Sequence, residues 1–164
     1  MEKLEFTINY ETYYNLTELS DEDKLLCEKA EAALSTSYSP YSKFKVGNAV
    51  LLNSGEIILG SNQENVAYPS GLCAERVALF GIGAKYPDAV ISKMAITAYT
   101  DQFKIEQPVT SCGACLQVMA EFEQKQKTPI TVLFYCIGGK ILKVKGIKSL
   151  LPFLFVENRL SVGA

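Results

Sequence analysis

Residues 46–60 read VGNAVLLNSGEIILG. Two apolar runs, 46–52 and 56–60, flank the turn-forming triplet Asn53-Ser54-Gly55, a pattern that predicts a β-hairpin. On the C-terminal side, residues 71–85 change to helical periodicity through Leu72, Val77, Ala78, Leu79 and Ile82, and residues 94–99 form a candidate central strand. A further helix is predicted after Ser111, carrying Leu116, Val118, Met119 and Phe122 and ending at Lys125 and Lys127. Pro129, a strand over 130–136, the turn Gly138-Gly139 and a strand over 141–144 follow it. On the N-terminal side, Ser20 with Asp21, Glu22 and Asp23 is a capped helix start. Leu25, Leu26, Ala30, Ala33 and Leu34 continue that helix to about residue 37, and Ser39-Pro40 breaks it. Residues 4–14 alternate Leu4, Phe6, Ile8 and Tyr10 with polar neighbours and read as a short strand or extended arm. Helices and strands alternate without a linker or repeat, which predicts one α/β domain over 20–164, preceded by an N-terminal extension over 1–19. Helices are expected on both faces of a mixed sheet.

The 164 residues are 48% apolar and 21% charged, with a mean hydropathy of +0.10, the balance of a globular chain. At this length a core buries roughly 70% of the unfolded surface, so the fold needs neither disulfide nor metal to hold together. Sixteen Lys+Arg against eighteen Asp+Glu leave a net charge of −2. That lacks the positive excess on which phosphate-backbone binding draws, so no nucleic-acid partner is expected. No run approaches the ~18 apolar residues of a membrane span. The chain has no histidine, which excludes Ser-His-Asp and Cys-His catalysis and every imidazole metal ligand. Five cysteines, an odd number, and a first decapeptide without an apolar signal run predict a reduced, cytoplasmic protein.

Two short motifs carry the chemistry. Cys73-Ala74-Glu75 and Cys112-Gly113-Ala114-Cys115 each open a predicted helix, where orphan N–H groups and the helix dipole favour thiolates. Taken singly, each has an ordinary reading: a thioredoxin-like redox pair for the Cys-x-x-Cys, a buried small hydrophobe for Cys73, a solvated helix residue for Glu75. Together they supply three thiolates and a carboxylate, a zinc set with one position open for water. Two residues turn ~200° in a regular helix, so Cys73 and Glu75 face one metal only if Cys73 has non-helical dihedrals at the helix start. Glu75 is then the acid/base candidate. Cys27 and Cys136 fall on predicted core faces. Asn62 and Glu64, two apart at the end of a predicted strand, share a face and can grip one hydroxyl group.

Cys73-Ala74-Glu75 with Cys112-Gly113-Ala114-Cys115 resembles the cytidine deaminase family in its small, all-cysteine zinc form. Similarity extends in order through residues 38–44, Val46-Gly47, Asn62-Gln63-Glu64-Asn65, Tyr68-Pro69, residues 71–76 and Leu150-Leu151-Pro152-Phe153. The resemblance implies a three-layer α/β/α fold with a five-stranded mixed sheet, assembled as a homotetramer. It implies Zn2+ on Cys73, Cys112 and Cys115, with Glu75 moving protons as water attacks cytosine C4. Arg76 and Gln117 would stand behind the ligands, Arg76 hydrogen-bonding the thiolates. Phe44 would stack on the pyrimidine, Ala74 would contact the substrate, and Asn62 with Glu64 would bind the ribose 3′-hydroxyl. Tyr68 and Phe155 would reach the site of a neighbouring subunit.

Two positions depart from the family pattern. Ser111 stands where proline usually precedes the first cysteine of the pair, and is expected to serve as a helix cap. Leu116 stands where arginine is common, removing a positive charge, so that either another group supplies it or a zinc-bound water is less acidic here. The implied activity is zinc-dependent deamination of cytidine and deoxycytidine to uridine and deoxyuridine, in pyrimidine salvage. The alternatives are a blasticidin-S-type aminonucleoside deaminase and a structural zinc module closed by Cys136 or Cys27.

Overall fold

In a computed structural model, which describes residues 1–157, the chain forms a six-stranded sheet covered on both faces. The strands are β1 (Tyr10–Tyr13), β2 (Lys45–Leu52), β3 (Ile57–Ser61), β4 (Ile91–Tyr99), β5 (Thr131–Tyr135) and β6 (Ile141–Lys145). They lie in the order β1-β6-β5-β4-β2-β3. The helices are α1 (Asp21–Ala33), α2 (Ala74–Lys85) and α3 (Gly113–Gln126). β4 and β5 run parallel, with α3 in the connection between them, and every other neighbouring pair is antiparallel. The expected hairpin is the β2–β3 pair, turning at Gly55 with a φ of +88°. Residues 158–164 of the expected domain lie outside the described residues.

The sheet has one strand more than the five expected. β1 adds antiparallel to β6, with Tyr10 opposite Val144 and Tyr13 opposite Ile141. Tyr10, Glu11 and Thr12 are exposed, so backbone hydrogen bonds hold this strand rather than burial of an apolar face. An alternation that buries so little cannot announce its partner in the sequence. The added strand covers the β6 edge, whose N–H and C=O groups would otherwise be open to pairing.

Each face has its own core. Leu26, Cys27 and Ala30 of α1 pack on Ala49, Ala95 and Leu133, whereas α2 and α3 bury Leu79, Ile82 and Met119 against Val50, Met94 and Phe134. Both helix layers come unusually close at two glycines. A Cβ at Gly47 would lie 2.1 Å from the Ala30 carbonyl oxygen in α1. One at Gly60 would lie 2.4 Å from that of Ala74, at the start of α2. Only residues without a side chain permit these approaches, and the second places the α2 N-terminus over the end of β3.

α1 begins as its sequence predicts, with Ser20 Oγ accepting from the Asp23 N–H at 3.2 Å. Asp23 is itself buried, 1% exposed, and its carboxylate receives Lys93 of β4 at 2.5 Å and Lys143 of β6 at 2.8 Å. Burial works against the charged carboxylate, but the hydrogen bonds from Lys143 and Lys93 outweigh it and hold the pKa below its ordinary value of 3.8. A carboxyl so depressed contributes stability that is present above that ordinary value and lost as pH falls through the native one. Asp23→Asn removes the buried carboxylate that the two ammonium groups share, leaving Lys93 with the exposed Glu22 at 2.6 Å and Lys143 with Glu11 at 3.9 Å, and is expected to cost about 2 kcal/mol at neutral pH. Denaturant unfolding from pH 7 down to pH 3 should show that difference narrowing below about pH 4.

Candidate metal centre

Cys73 is the residue that precedes α2, with φ −69° and ψ 155°, and Cys112 precedes α3 with φ −70° and ψ 162°. Both are extended rather than helical, the condition under which Cys73 and Glu75 can face a common point. Cys115 lies one turn into α3 and is buried. The three Sγ atoms lie within 4.8 Å of one another, with Cys112 Sγ 3.5 Å from Cys115 Sγ. Sulfur atoms sharing a tetrahedral zinc at ~2.3 Å stand ~3.8 Å apart, so these donors fit such an ion with little movement.

The electrostatics of the trio are graded. Cys73 is pulled down to about 6, chiefly by a hydrogen bond from the Cys115 thiol, with burial opposing and the Arg76 guanidinium assisting. The same hydrogen bond raises Cys115, which keeps its proton, and burial pushes it further up. Arg76 Nη2 donates to Cys73 Sγ at 3.7 Å. Negative charge is therefore favoured on Cys73 over Cys115, and gathering three thiolates calls for a cation. Cys27 and Cys136 do not join the cluster. Cys27 lies in the core on the opposite face, where burial pushes its thiol up to about 12, and Cys136 Sγ points to the Ile105 carbonyl at 3.3 Å. Among the described residues no fourth side chain closes the site.

Glu75, 4% exposed, stands beside the thiols and accepts from Ser111 Oγ at 2.6 Å. Ser111 was expected to cap α3, but Cys112 holds the cap position and the hydroxyl is turned to Glu75 instead. No residue-by-residue pattern announces that contact, because it joins two helix starts 36 positions apart. Leu116 is buried in the core beneath Cys115, and Arg76 supplies positive charge to the thiols.

A cavity of ≈ 740 Å³ opens over this cluster, with Phe44, Asn62, Glu64 and Tyr68 on its walls and Cys73, Glu75 and Cys112 at one end. Ala74 is fully buried at the start of α2. Asn62 is braced by the chain on three sides. Its Oδ1 accepts from Ser37 Oγ at 2.6 Å and Val46 N–H at 2.8 Å, and its Nδ2 donates to the Phe44 carbonyl at 2.9 Å. Glu64 accepts from the Tyr41 and Ser42 N–H groups at 2.9 and 3.2 Å and from the Ser42 hydroxyl. Slight desolvation would raise its pKa, but these bonds outweigh it and hold the carboxyl below its ordinary value. Both side chains line the cavity and pin the loop that presents Phe44, but β3 ends at Ser61 and the intervening Gln63 lines the cavity as well, so strand alternation does not set their direction.

Phe44 stacks on Phe103 at a centroid distance of 6.2 Å, a partner that periodicity could not reveal because Phe103 sits in an irregular loop. Tyr68 meets Tyr41 edge-on and is otherwise exposed. Gln117 and Phe155 are brought together outside the cavity wall. The Gln117 amide donates to the Phe155 carbonyl at 2.9 Å and accepts from its N–H at 3.1 Å, leaving the Phe155 ring exposed.

Comparison with known proteins converges on one group. The sequence model of the cytidine and deoxycytidylate deaminase zinc-binding region matches residues 20–130. The chain is 45% identical over 144 residues to a cytidine deaminase of Sporosarcina psychrophila, covering 88% of this chain and 98% of that one. It is 42% identical over 98 residues to a cytidine deaminase of Halalkalibacterium halodurans, 60% of this chain and 70% of the relative. In structure it resembles the cytidine deaminase of Burkholderia pseudomallei, with a TM-score of 0.71 at 34% identity, over 84% of this chain and all of that one.

Purified protein should carry about one zinc per chain. Replacing Cys73, Cys112 or Cys115 by serine should bring that close to zero, while Cys27→Ala, on the far face, should leave it unchanged; metal analysis after dialysis reads the difference.

Proposed function

Because the chain belongs to the cytidine and deoxycytidylate deaminase family, we propose that it hydrolyses the amino group of cytidine and deoxycytidine, giving uridine or deoxyuridine and ammonia in pyrimidine salvage. The observation that carries this reading is the meeting of Glu75, Cys73 and Cys112 in the lining of a cavity that also holds Phe44, Asn62 and Glu64, with the Cys115 thiol buried close behind them. A structural zinc module would need a fourth ligand, and Cys27 and Cys136 lie elsewhere. The catalytic domain is taken to span 20–164, with 1–19 as an extension, in a cytoplasmic homotetramer. The exposed rings of Tyr68 and Phe155 are available to a neighbouring subunit, which supports that assembly.

Zinc held by Cys73, Cys112 and Cys115 would lower the pKa of a water at the open position toward neutrality. Three thiolates make the site formally anionic with the dication, and Arg76 with the two helix N-termini offsets part of that charge. Glu75 takes a proton from the attacking water, passes it to pyrimidine N3, and later protonates the departing amino nitrogen. The water oxygen adds to C4 as its proton reaches N3; the C4–N bond then breaks as the remaining hydroxyl proton passes through Glu75 to the amino nitrogen, so cytidine and water balance uridine and ammonia. Phe44, backed by Phe103, lies against the pyrimidine face, whereas Ala74 is fully buried and outside the cavity lining, so the substrate contact expected of it has no support in this arrangement. Asn62 and Glu64 hold the ribose 3′-hydroxyl. Their bonds into the 37–46 segment fix them beforehand, lowering the ordering cost of binding. Gln117 acts indirectly, by fixing the segment that carries Phe155.

Loss of cytidine ultraviolet absorbance on adding zinc-loaded protein tests the activity. Glu75→Gln should keep its zinc and lose about 10³-fold in kcat; full turnover in that variant would overturn the reading. Asn62→Ala frees the Phe44 loop and removes a ribose contact, and should raise KM about tenfold with a smaller change in kcat, measured by steady-state kinetics.

A further inference from the structure

We propose that Ser111 is a positioning residue for Glu75, holding one carboxylate oxygen so that the other is presented to the reacting atoms. The proposal rests on the deaminase reading above. Ser111 Oγ donates to Glu75 Oε1 at 2.6 Å, the length of a charge-assisted O–H···O bond. Glu75 is 4% exposed, so little water competes for that oxygen. The hydroxyl makes no helix cap, since Cys112 takes the cap position without a side-chain bond, and its bond to Glu75 accounts for its orientation.

The consequence follows from what the carboxylate has to do. A glutamate side chain has three rotatable bonds, and a base that carries a proton between two acceptors needs its active oxygen at a fixed angle and distance. Pinning Oε1 to Ser111 removes the swivel of the carboxylate plane and assigns proton transfer to Oε2. Ser111 keeps its own proton throughout, so no bond is made or broken there. It immediately precedes Cys112, and Glu75 lies two residues past Cys73, so the bond also ties the two helix starts that carry the thiols. A proline at position 111 has no hydroxyl with which to do any of this.

The test compares Ser111→Ala, Ser111→Thr and Ser111→Pro in zinc-loaded protein. In Ser111→Ala, zinc content and uridine affinity by calorimetry should match the wild type, KM should stay within about threefold and kcat should fall about tenfold or more. Ser111→Thr should recover to within about threefold of wild-type kcat, and Ser111→Pro should behave like alanine. A readout independent of turnover is the carboxyl ¹³C shift of Glu75 in glutamate-labelled, substrate-free protein, assigned through Glu75→Gln. It should move in Ser111→Ala and return in Ser111→Thr. An unchanged shift and kcat in Ser111→Ala would overturn the proposal, as would loss of zinc from that variant with the Glu75 shift unmoved. If wild-type protein turned over neither nucleoside, the deaminase reading would fall, and the carbon shift would still decide for or against the Ser111–Glu75 contact.

Discussion

Three thiols and a buried carboxylate crowd together beside a cavity, and that concentration of groups able to carry negative charge is the constraint around which the molecule is organised. Each group alone would avoid the others. Two helix N-termini aimed at the same point, with the Arg76 guanidinium beside Cys73, make their approach tolerable. Bringing two helix starts together in turn dictates the packing beneath them. α2 and α3 share one face of the sheet, and Gly60 lets the beginning of α2 settle onto the end of β3 at a distance that no side chain would allow. The parallel β4–α3–β5 connection is the topological device that brings α3 back over the sheet on this face.

The cavity walls are built by a different principle. Residues 37–44 and 62–72 hold only isolated bridges, Tyr38 with Gln63 and Gln63 with Leu72, and one short 3₁₀ turn, and polar side chains reinforce that sparse backbone pairing. Asn62 satisfies the Val46 N–H and the Phe44 carbonyl, and Glu64 satisfies the N–H groups of Tyr41 and Ser42. An aromatic ring offered to a ligand from a loop needs such support, because loops otherwise lose entropy when they are ordered. On the far face, the Asp23 carboxylate joins α1 to β4 and β6, anchoring the layer that takes no part in the site.

The two departures from the family pattern have different characters in three dimensions. Leu116 is absorbed by the hydrophobic core with Met119 and Ala120, so the change there exchanges a charge for packing. Ser111 does the reverse, placing a hydroxyl in contact with the buried Glu75 carboxylate. The two flank the same Cys112-Gly113-Ala114-Cys115 motif, yet Leu116 faces inward to the core and Ser111 across to α2.

Much of this protein is legible in its residues. Apolar periodicity locates all three helices and the central strands, because each buries a wide apolar face whose spacing is local. The clustering of the thiol trio with Glu75 is legible too, since helix starts are marked by short-range chemistry and the three cysteines lie in two compact motifs. What only the tertiary structure decides is what depends on backbone pairing or on contacts between distant segments. β1 joins the sheet through hydrogen bonds that leave Tyr10 and Thr12 exposed, so its sixth-strand role has no apolar signature. Phe103 meets Phe44 across 59 positions, and Ser111 meets Glu75 across 36. A sequence prescribes the period of each element directly, whereas the partner of a side chain that leaves its own element is chosen only when the whole sheet has placed the two ends together.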